Sequence, residues 1–445
     1  MPSIADRIRQ HLTDPQSHHR RIAISFLWVS LFVFIGRLAG AAKEMAIAWR
    51  YGVSETVDAY VFIVNLITWP VAVWFSVLTV VLVPLVAHVR HNNPVELPRF
   101  RGELLGLTLI IGLVLGVLAT FGLPWLLTTG WIGFSDKTLT EARRMAGALA
   151  LLAPIGTVIS LFSAWMLACN RRRNTLMEAL PALAILIALL LPPGWLPEPL
   201  LWGTVAGFAL HLATLGAFLH RQGELQTPRL TFGSPAWQGF WGSIGIMATG
   251  QVLMSFTTII DQVFAADLGP GALSTLSYAN RILALILTMG ATAISRATLP
   301  IFSATDAQGG NDVNALALRW AMWMFGLALL AIIAVWPMSH LIVDILFERG
   351  AFQSKDTAAV AQLLQYGLLQ LPFYMAGLVL VSALSSKKKY AIIARIALIN
   401  VMVKIVLNHY LITAFGLAGV AFATTIMYAF STLLCFIAVT TSKKT

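Results

Sequence analysis

Residues 153–173, APIGTVISLFSAWMLACNRRR, and residues 371–389, LPFYMAGLVLVSALSSKKK, follow one plan. Each opens on an apolar residue and a proline, runs apolar for about the length of a membrane crossing, and closes on three basic residues. The correspondence extends outward from these two stretches. Gly52 and Tyr60 answer Gly269 and Tyr278, and Pro84 answers Pro300, always at an offset of 216 to 218 residues. Matched pairs in the same order with so little drift describe a duplicated half. A membrane chain built as two copies places its binding site where the copies face each other.

Composition identifies the solvent. Hydrophobic residues make up 58% of the chain and charged residues 11%, with a mean hydropathy of +0.79. A soluble domain carries roughly 25% charged residues. A surface this apolar belongs in lipid, where only helices and closed barrels satisfy their backbone groups. Runs long enough for the ~20 residues of a crossing helix predict twelve spans. These are 22–48, 57–87, 104–128, 145–169, 175–195, 199–219, 240–265, 272–302, 319–347, 358–385, 390–413 and 417–440. The expected fold is an all-α polytopic membrane protein. A cytosolic tail (1–21) precedes a six-helix bundle (22–219), a cytosolic linker (220–239), a second six-helix bundle (240–440) and a short tail (441–445). Six spans per half insert both halves the same way up, so their pseudo-two-fold axis is expected along the membrane normal.

Orientation follows from Lys and Arg. With the N-terminus inside, the inner segments hold Arg7, Arg9, Arg20, Arg21, Arg90, Arg99, Arg101, Arg171 to Arg173, Arg221, Arg229, Arg319, Lys387 to Lys389, Lys443 and Lys444. The outer loops hold only Arg50, Lys137, Arg143, Arg144, Arg349 and Lys355. Both termini are therefore expected in the cytosol. The same bias explains the formal charge of +11 without nucleic acid. The first twenty residues lack the apolar core of a signal peptide. The two cysteines, Cys169 and Cys435, lie in apolar runs and form neither a disulfide framework nor a metal site.

Six cations fall inside spans: Arg37, Lys43, Arg281, Arg296, Arg395 and Lys404. Each would cost about 2.5–3.5 kcal/mol at mid-bilayer if it faced lipid. Arg296 is close enough to a span end to snorkel. The acids available to them are chiefly Glu44, Asp58, Glu178 and Asp261. Glu44 follows Arg37 by seven residues and shares its face. Arg395, Asn400, Lys404 and Asn408 form one stripe on the eleventh span, at spacings of five, four and four. The repeat partners of Arg395 and Lys404 are Glu178 and Ile187, so the stripe is not duplicated. Two readings remain open: structural ion pairs tying helices together, or a cation-lined cavity for an anionic cargo such as a diphosphate. Enzyme signatures are absent. There is no GxxxxGK[ST] phosphate loop, no HExxH and no GxSxG. No catalytic residue, metal ligand or cofactor is expected.

Several segments resemble one known family. Gly36-Arg37-Leu38-Ala39-Gly40-Ala41-Ala42-Lys43-Glu44, Tyr51-Gly52, Val57-Asp58-Ala59-Tyr60 and Val83-Pro84 look like the first two helices of the MurJ/MviN lipid II flippases. Tyr278-Ala279-Asn280-Arg281, Leu299-Pro300 and Leu346-Phe347-Glu348-Arg349-Gly350-Ala351-Phe352 extend the likeness over nearly the whole chain. This family belongs to the multidrug/oligosaccharidyl-lipid/polysaccharide exporter superfamily. The resemblance implies a central cavity whose cations meet a lipid-linked diphosphate sugar, with Arg37, Lys43 and Arg281 on such positions and Asp58 on the acidic position opening the second helix.

The chain also departs from that family. Lys43-Glu44 stands where Arg-Asp is usual. Val71, Ala72 and Val73 replace an arginine pair, and Ala284 and Leu285 replace an acid after Arg281. The sequence given stops short of two further C-terminal spans common in these flippases.

The expected function is a flippase that carries a polyprenyl-diphosphate-linked glycan (lipid II or similar) from inner to outer leaflet by alternating access. Arg37, Lys43, Arg281, Arg395 and Lys404 are the candidate substrate contacts. Glu44, Asp58 and Asp261 are candidates for ion coupling or charge pairing. The expected partners are the glycan lipid, membrane lipids and a coupling ion or the membrane potential. Alternatives are an exopolysaccharide or O-antigen-type flippase, a drug/cation antiporter of the same superfamily, and a membrane glycosyltransferase or ligase. The antiporter would want a net acidic cavity. The ligase would want a large outer loop with paired acids.

Overall fold

The computed structural model describes residues 18–92, 96–169, 177–307 and 312–441. The triplet 171–173 and the chain ends at 1–17 and 442–445 lie outside them. Among the described residues there are helices and loops and no strands. In the first half the helices are α1 (His18–Tyr51), α2 (Glu55–Asn92), α3 (Leu97–Val117), α4 (Leu123–Thr128), α5 (Asp136–Leu149), α6 (Leu152–Ala168), α7 (Leu180–Leu190) and α8 (Pro199–Arg221). In the second they are α9 (Ala236–Ala266), α10 (Ala272–Ala307), α11 (Asp312–Phe347), α12 (Ser354–Leu368), α13 (Leu371–Ser386), α14 (Tyr390–Phe415) and α15 (Leu417–Thr441). Among the described residues, seven helical segments are long and apolar enough to cross a membrane, or up to nine if each of two bent pairs counts as one span. The surface left outside the bundle includes Phe121, Trp125, Met322, Trp323 and Ile333, all more than half exposed, as a lipid-facing surface requires.

Proline accounts for several breaks. Leu118–Gly122 forms a π-helical turn between α3 and α4. Pro124 in the next turn has no N–H to give the carbonyl four residues back, so the ladder widens there. Of the expected span at 175–195, residues 175–176 lie outside the described residues, and α7 covers eleven of the others. Pro181 is tolerated in its first turn. Leu191 turns to extended backbone at ψ 145°, because the residue before Pro192 is pushed out of the α region. The expected fourth and tenth spans are each divided. α5 meets α6 at 49°, and α12 meets α13 at 41°. The segment before the fourth span is an amphipathic helix, not a loop: Ser135 caps α5 by accepting from Thr138 N. A capping box of Gln353 and Asp356 starts α12.

The helix pairings run in parallel in the two halves. α1 packs on α7 as α9 packs on α14, and α2 on α5 and α6 as α10 on α12 and α13. α3 packs on α6 as α11 on α13, and α7 on α8 as α14 on α15. Packing in lipid depends on close backbone approach through small residues. Gly203 of α8 shows this, since a Cβ there would sit 2.7 Å from the Ala188 methyl of α7. The halves meet along α2 with α9 and α10, and α1 with α11.

Candidate functional site: a cavity between the halves

A cavity of about 350 Å³ opens where α2 of the first half faces the second half. α2 contributes Val61 and Asn65 to it, and α9 contributes Thr257, Thr258, Asp261 and Gln262. α10 adds Ser277, Asn280 and Arg281, Gln370 comes from the α12–α13 break, and Lys404 and Tyr428 come from α14 and α15. The wall is thus a mixture of amides, hydroxyls and charge on an apolar frame.

Glu44 is the electrostatic centre of the junction. Its Oε1 lies 2.7 Å from Lys43 Nζ of its own helix and 3.2 Å from Arg281 Nε of the opposite half. One carboxylate therefore faces two cations. Arg281 keeps 48% of its side chain exposed, whereas Lys43 and Glu44 keep 16% and 13%. The guanidinium can still meet an anion. The seven-residue spacing suggested Arg37 as the partner of Glu44. The structure instead leaves Arg37 exposed on α1, because the carboxylate turns toward Arg281 across the junction. Arg37 has no ion-pair partner among the described residues, and the same holds for Arg395, exposed on α14.

Lys404 stands apart from these. It is fully buried, and its Nζ lies 2.9 Å from Asp261 Oδ1. Asn408 Nδ2 donates to the same oxygen at 2.9 Å. The stripe on the eleventh span therefore divides by depth: Asn400, Lys404 and Asn408 face inward and Arg395 does not. Asp261 is bound to Lys404 and not to Arg281.

Asp58 belongs to one end of the molecule, where the halves are sealed. It is 2% exposed. Its Oδ2 accepts from Gly271 N and its Oδ1 from Ser274 N, both at 2.6 Å, which caps the start of α10 in the other half. Beside it Tyr278 Oη donates to Gly52 O at 3.0 Å, and Ala351 N donates to Trp49 O at 2.8 Å. Gly133 N donates to Asp267 Oδ1 at 2.8 Å. Gly52 has φ +58°, and a Cβ there would sit 2.5 Å from Ala351 O, so only glycine fits. Gly52, the counterpart of Gly269, thus meets Tyr278, the counterpart of Tyr60, across the seam.

At the opposite end, Glu103 of α3 is fully buried. It accepts from Arg99 Nε, Thr231 Oγ1, Gly233 N, Ser234 N and Trp237 Nε1. Arg229 N donates to Gly102 O at 2.8 Å. The connector between the halves is therefore strapped to the first half up to the start of α9. Sequence reasoning missed Glu103, Gln262 and Gln370. Glu103, an acid at the edge of an apolar run beside Arg99 and Arg101, was the available signal.

The family model described as "Lipid II flippase MurJ" matches residues 47–445, a stretch that begins just after Arg37, Lys43 and Glu44. A probable lipid II flippase MurJ of Buchnera aphidicola subsp. Baizongia pistaciae is 23% identical over 379 residues, 80% of this chain and 71% of the relative. Among solved structures, a lipid II flippase MurJ in an inward closed conformation aligns with a TM-score of 0.79 at 20% identity, covering 93% of this chain and 87% of that one. An inward-facing MATE-family multidrug resistance transporter of the MOP superfamily aligns with a TM-score of 0.72 at 15% identity, covering 92% and 96%.

Proposed function

The chain belongs to the lipid II flippase MurJ family, and on that premise we propose that it carries lipid II or a closely similar polyprenyl-diphosphate glycan from the inner to the outer leaflet by alternating access. The observation that carries the reading is the Lys43–Glu44–Arg281 junction: two cations on one carboxylate, between the halves, beside a polar cavity. An arriving diphosphate replaces Glu44 as the partner of Arg281, and the guanidinium fork suits phosphate. Lys43 adds a second positive charge, with Arg37 and Arg395 on the approach. The prenyl tail stays in lipid.

The protein is a multi-pass membrane protein. Its finer architecture is two six-helix halves, 22–219 and 240–440, with twelve crossings and both termini in the cytosol. The recurrence of the same helix pairings in each half and the basic-residue bias support this. In that orientation the sealed end at Gly52, Asp58 and Tyr278 faces outward. The conformation is then closed to the outside, and rocking of the halves must break that seal to release the head group.

Complementation tests the cargo. Expression in a strain depleted of its own lipid II flippase should restore growth. Failure with normal protein level in the membrane would move the assignment to another lipid-linked glycan.

A further inference from the structure

The Lys404 ammonium occupies an oxygen nest. It donates to the Thr424 hydroxyl, and it lies 2.9 Å from Asp261 Oδ1 and 3.5 Å from the Val420 carbonyl. Its three N–H donors thus meet a carboxylate, a hydroxyl and a main-chain carbonyl, contributed by α9 and α15. Further buried acceptors lie on the helices of Asp261 and Lys404, α9 and α14. Asn400 and Asn408 lie one helical turn either side of Lys404, and Gln262 follows Asp261. These three residues are 1%, 0% and 6% exposed, and Asn400 Oδ1, Asn408 Oδ1 and Gln262 Oε1 accept no hydrogen bond.

Buried side-chain oxygens ordinarily find a donor or a cation. A carboxylate, a hydroxyl and backbone and amide carbonyls form the ligand set that hard cations take, and transporters use such oxygens at mid-membrane for alkali ions. Here the position at the centre of the set is filled by a side chain. The repeat partner of Lys404 is Ile187, so the first half has no counterpart.

We propose that Lys404 is a tethered cation that permanently fills an alkali-ion type of oxygen site in the second half, and that removing its ammonium leaves a site that takes Na⁺. In the protein as it stands, the positive charge at this wall does not exchange with solution. Asp261 is then a fixed counter-charge and not a binding site for a coupling ion. The inference stands on the geometry of the nest and is independent of the cargo.

The test compares melting of purified protein in NaCl and in choline chloride at equal ionic strength. The wild type should melt at the same temperature in both salts. Lys404→Ala should melt ~2 °C or more higher in NaCl, and the double variant Lys404→Ala/Asp261→Asn should lose that difference. Lys404→Gln, which keeps side-chain length and a hydrogen-bonding end, is measured beside it in case the alanine variant folds poorly. Stabilisation of the wild type by Na⁺ would overturn the proposal, as would the absence of a Na⁺ effect in both single variants. Unfolding of both in either salt also counts against it, because Na⁺ in the vacated site ought to replace the lost charge.

Discussion

Arg281 Nε lies 3.2 Å from Glu44 Oε1, so the cation of one half rests on an acid of the other. Nearly half of the Arg281 side chain is exposed. At that exposure an ion pair contributes about 0–1 kcal/mol to stability, against the roughly 3–5 kcal/mol lost when one partner of a fully buried pair is removed. Its use must be sought in what Arg281 meets when Glu44 lets go.

Arg281→Ala should therefore leave protein level and melting temperature close to wild type while transport falls more than tenfold. Arg281→Lys should retain part of the activity, since it keeps the charge and loses the planar fork. Both are measured by flipping in proteoliposomes beside detergent-solubilised melting. Disappearance of Arg281→Ala from the membrane would show that the residue holds helices together instead.

Asp58 carries the seal. Removing its carboxylate strands Gly271 N and Ser274 N, at a cost of about 1–3 kcal/mol for buried donors. The cost falls on the closed arrangement. Asp58→Ala should raise the labelling of a cysteine at Asn280, a cavity residue, by an impermeant maleimide added outside. Asp58→Asn should raise it less, because an amide oxygen still accepts. Unchanged labelling in Asp58→Ala would remove Asp58 from the gate.

The loop after α11 gives a pH signature. The Ser354 hydroxyl, and then that of Thr357, donate to Glu348 and hold its carboxyl below its ordinary value of 4.5. A carboxyl with a depressed folded-state value stabilises above its unfolded value, and the contribution is lost as pH falls through the folded one. Amide protection at the start of α12 should thus persist down to pH 4.5 and fade below it. In Glu348→Gln that dependence should vanish. Hydrogen exchange across residues 354–357 measures both.

Topology is checked by the same impermeant reagent. A cysteine at the exposed Gln353 should be labelled from outside, and one at Asn174 or Ser386 should not. Labelling at Asn174 from outside would invert or break the twelve-crossing arrangement.

What the sequence disclosed was chemistry more than geometry. Isolated charge in apolar runs marked Lys43, Arg281 and Asp58, since lipid leaves such residues few places to go. The four-residue spacing from Asn400 to Asn408 likewise marked a shared face, and those three residues are buried together. Pairing was not legible. Asp58 meets a helix start more than two hundred residues away, and Glu44 meets Arg281 across the seam, contacts that local periodicity does not encode. The α5–α6 and α12–α13 breaks were hidden for another reason: hydropathy averages over a window longer than the two or three residues at which the chain bends.

The strap at Glu103 makes the covalent join between the halves redundant. Residues 229–237 lead into α9 of the second half, yet they are bound to α3 of the first by four donors into one carboxylate and a main-chain bond at Gly102. A nick between Arg221 and Arg229 would leave two fragments still clasped, in the manner of a heterodimer whose interface happens to be encoded on one message. It would also fix the pivot. The start of α9 cannot swing freely with its own half, so the reorientation of the second half must be absorbed as flexure within α9, between Trp237 at the clasp and Asp261 at the cavity wall.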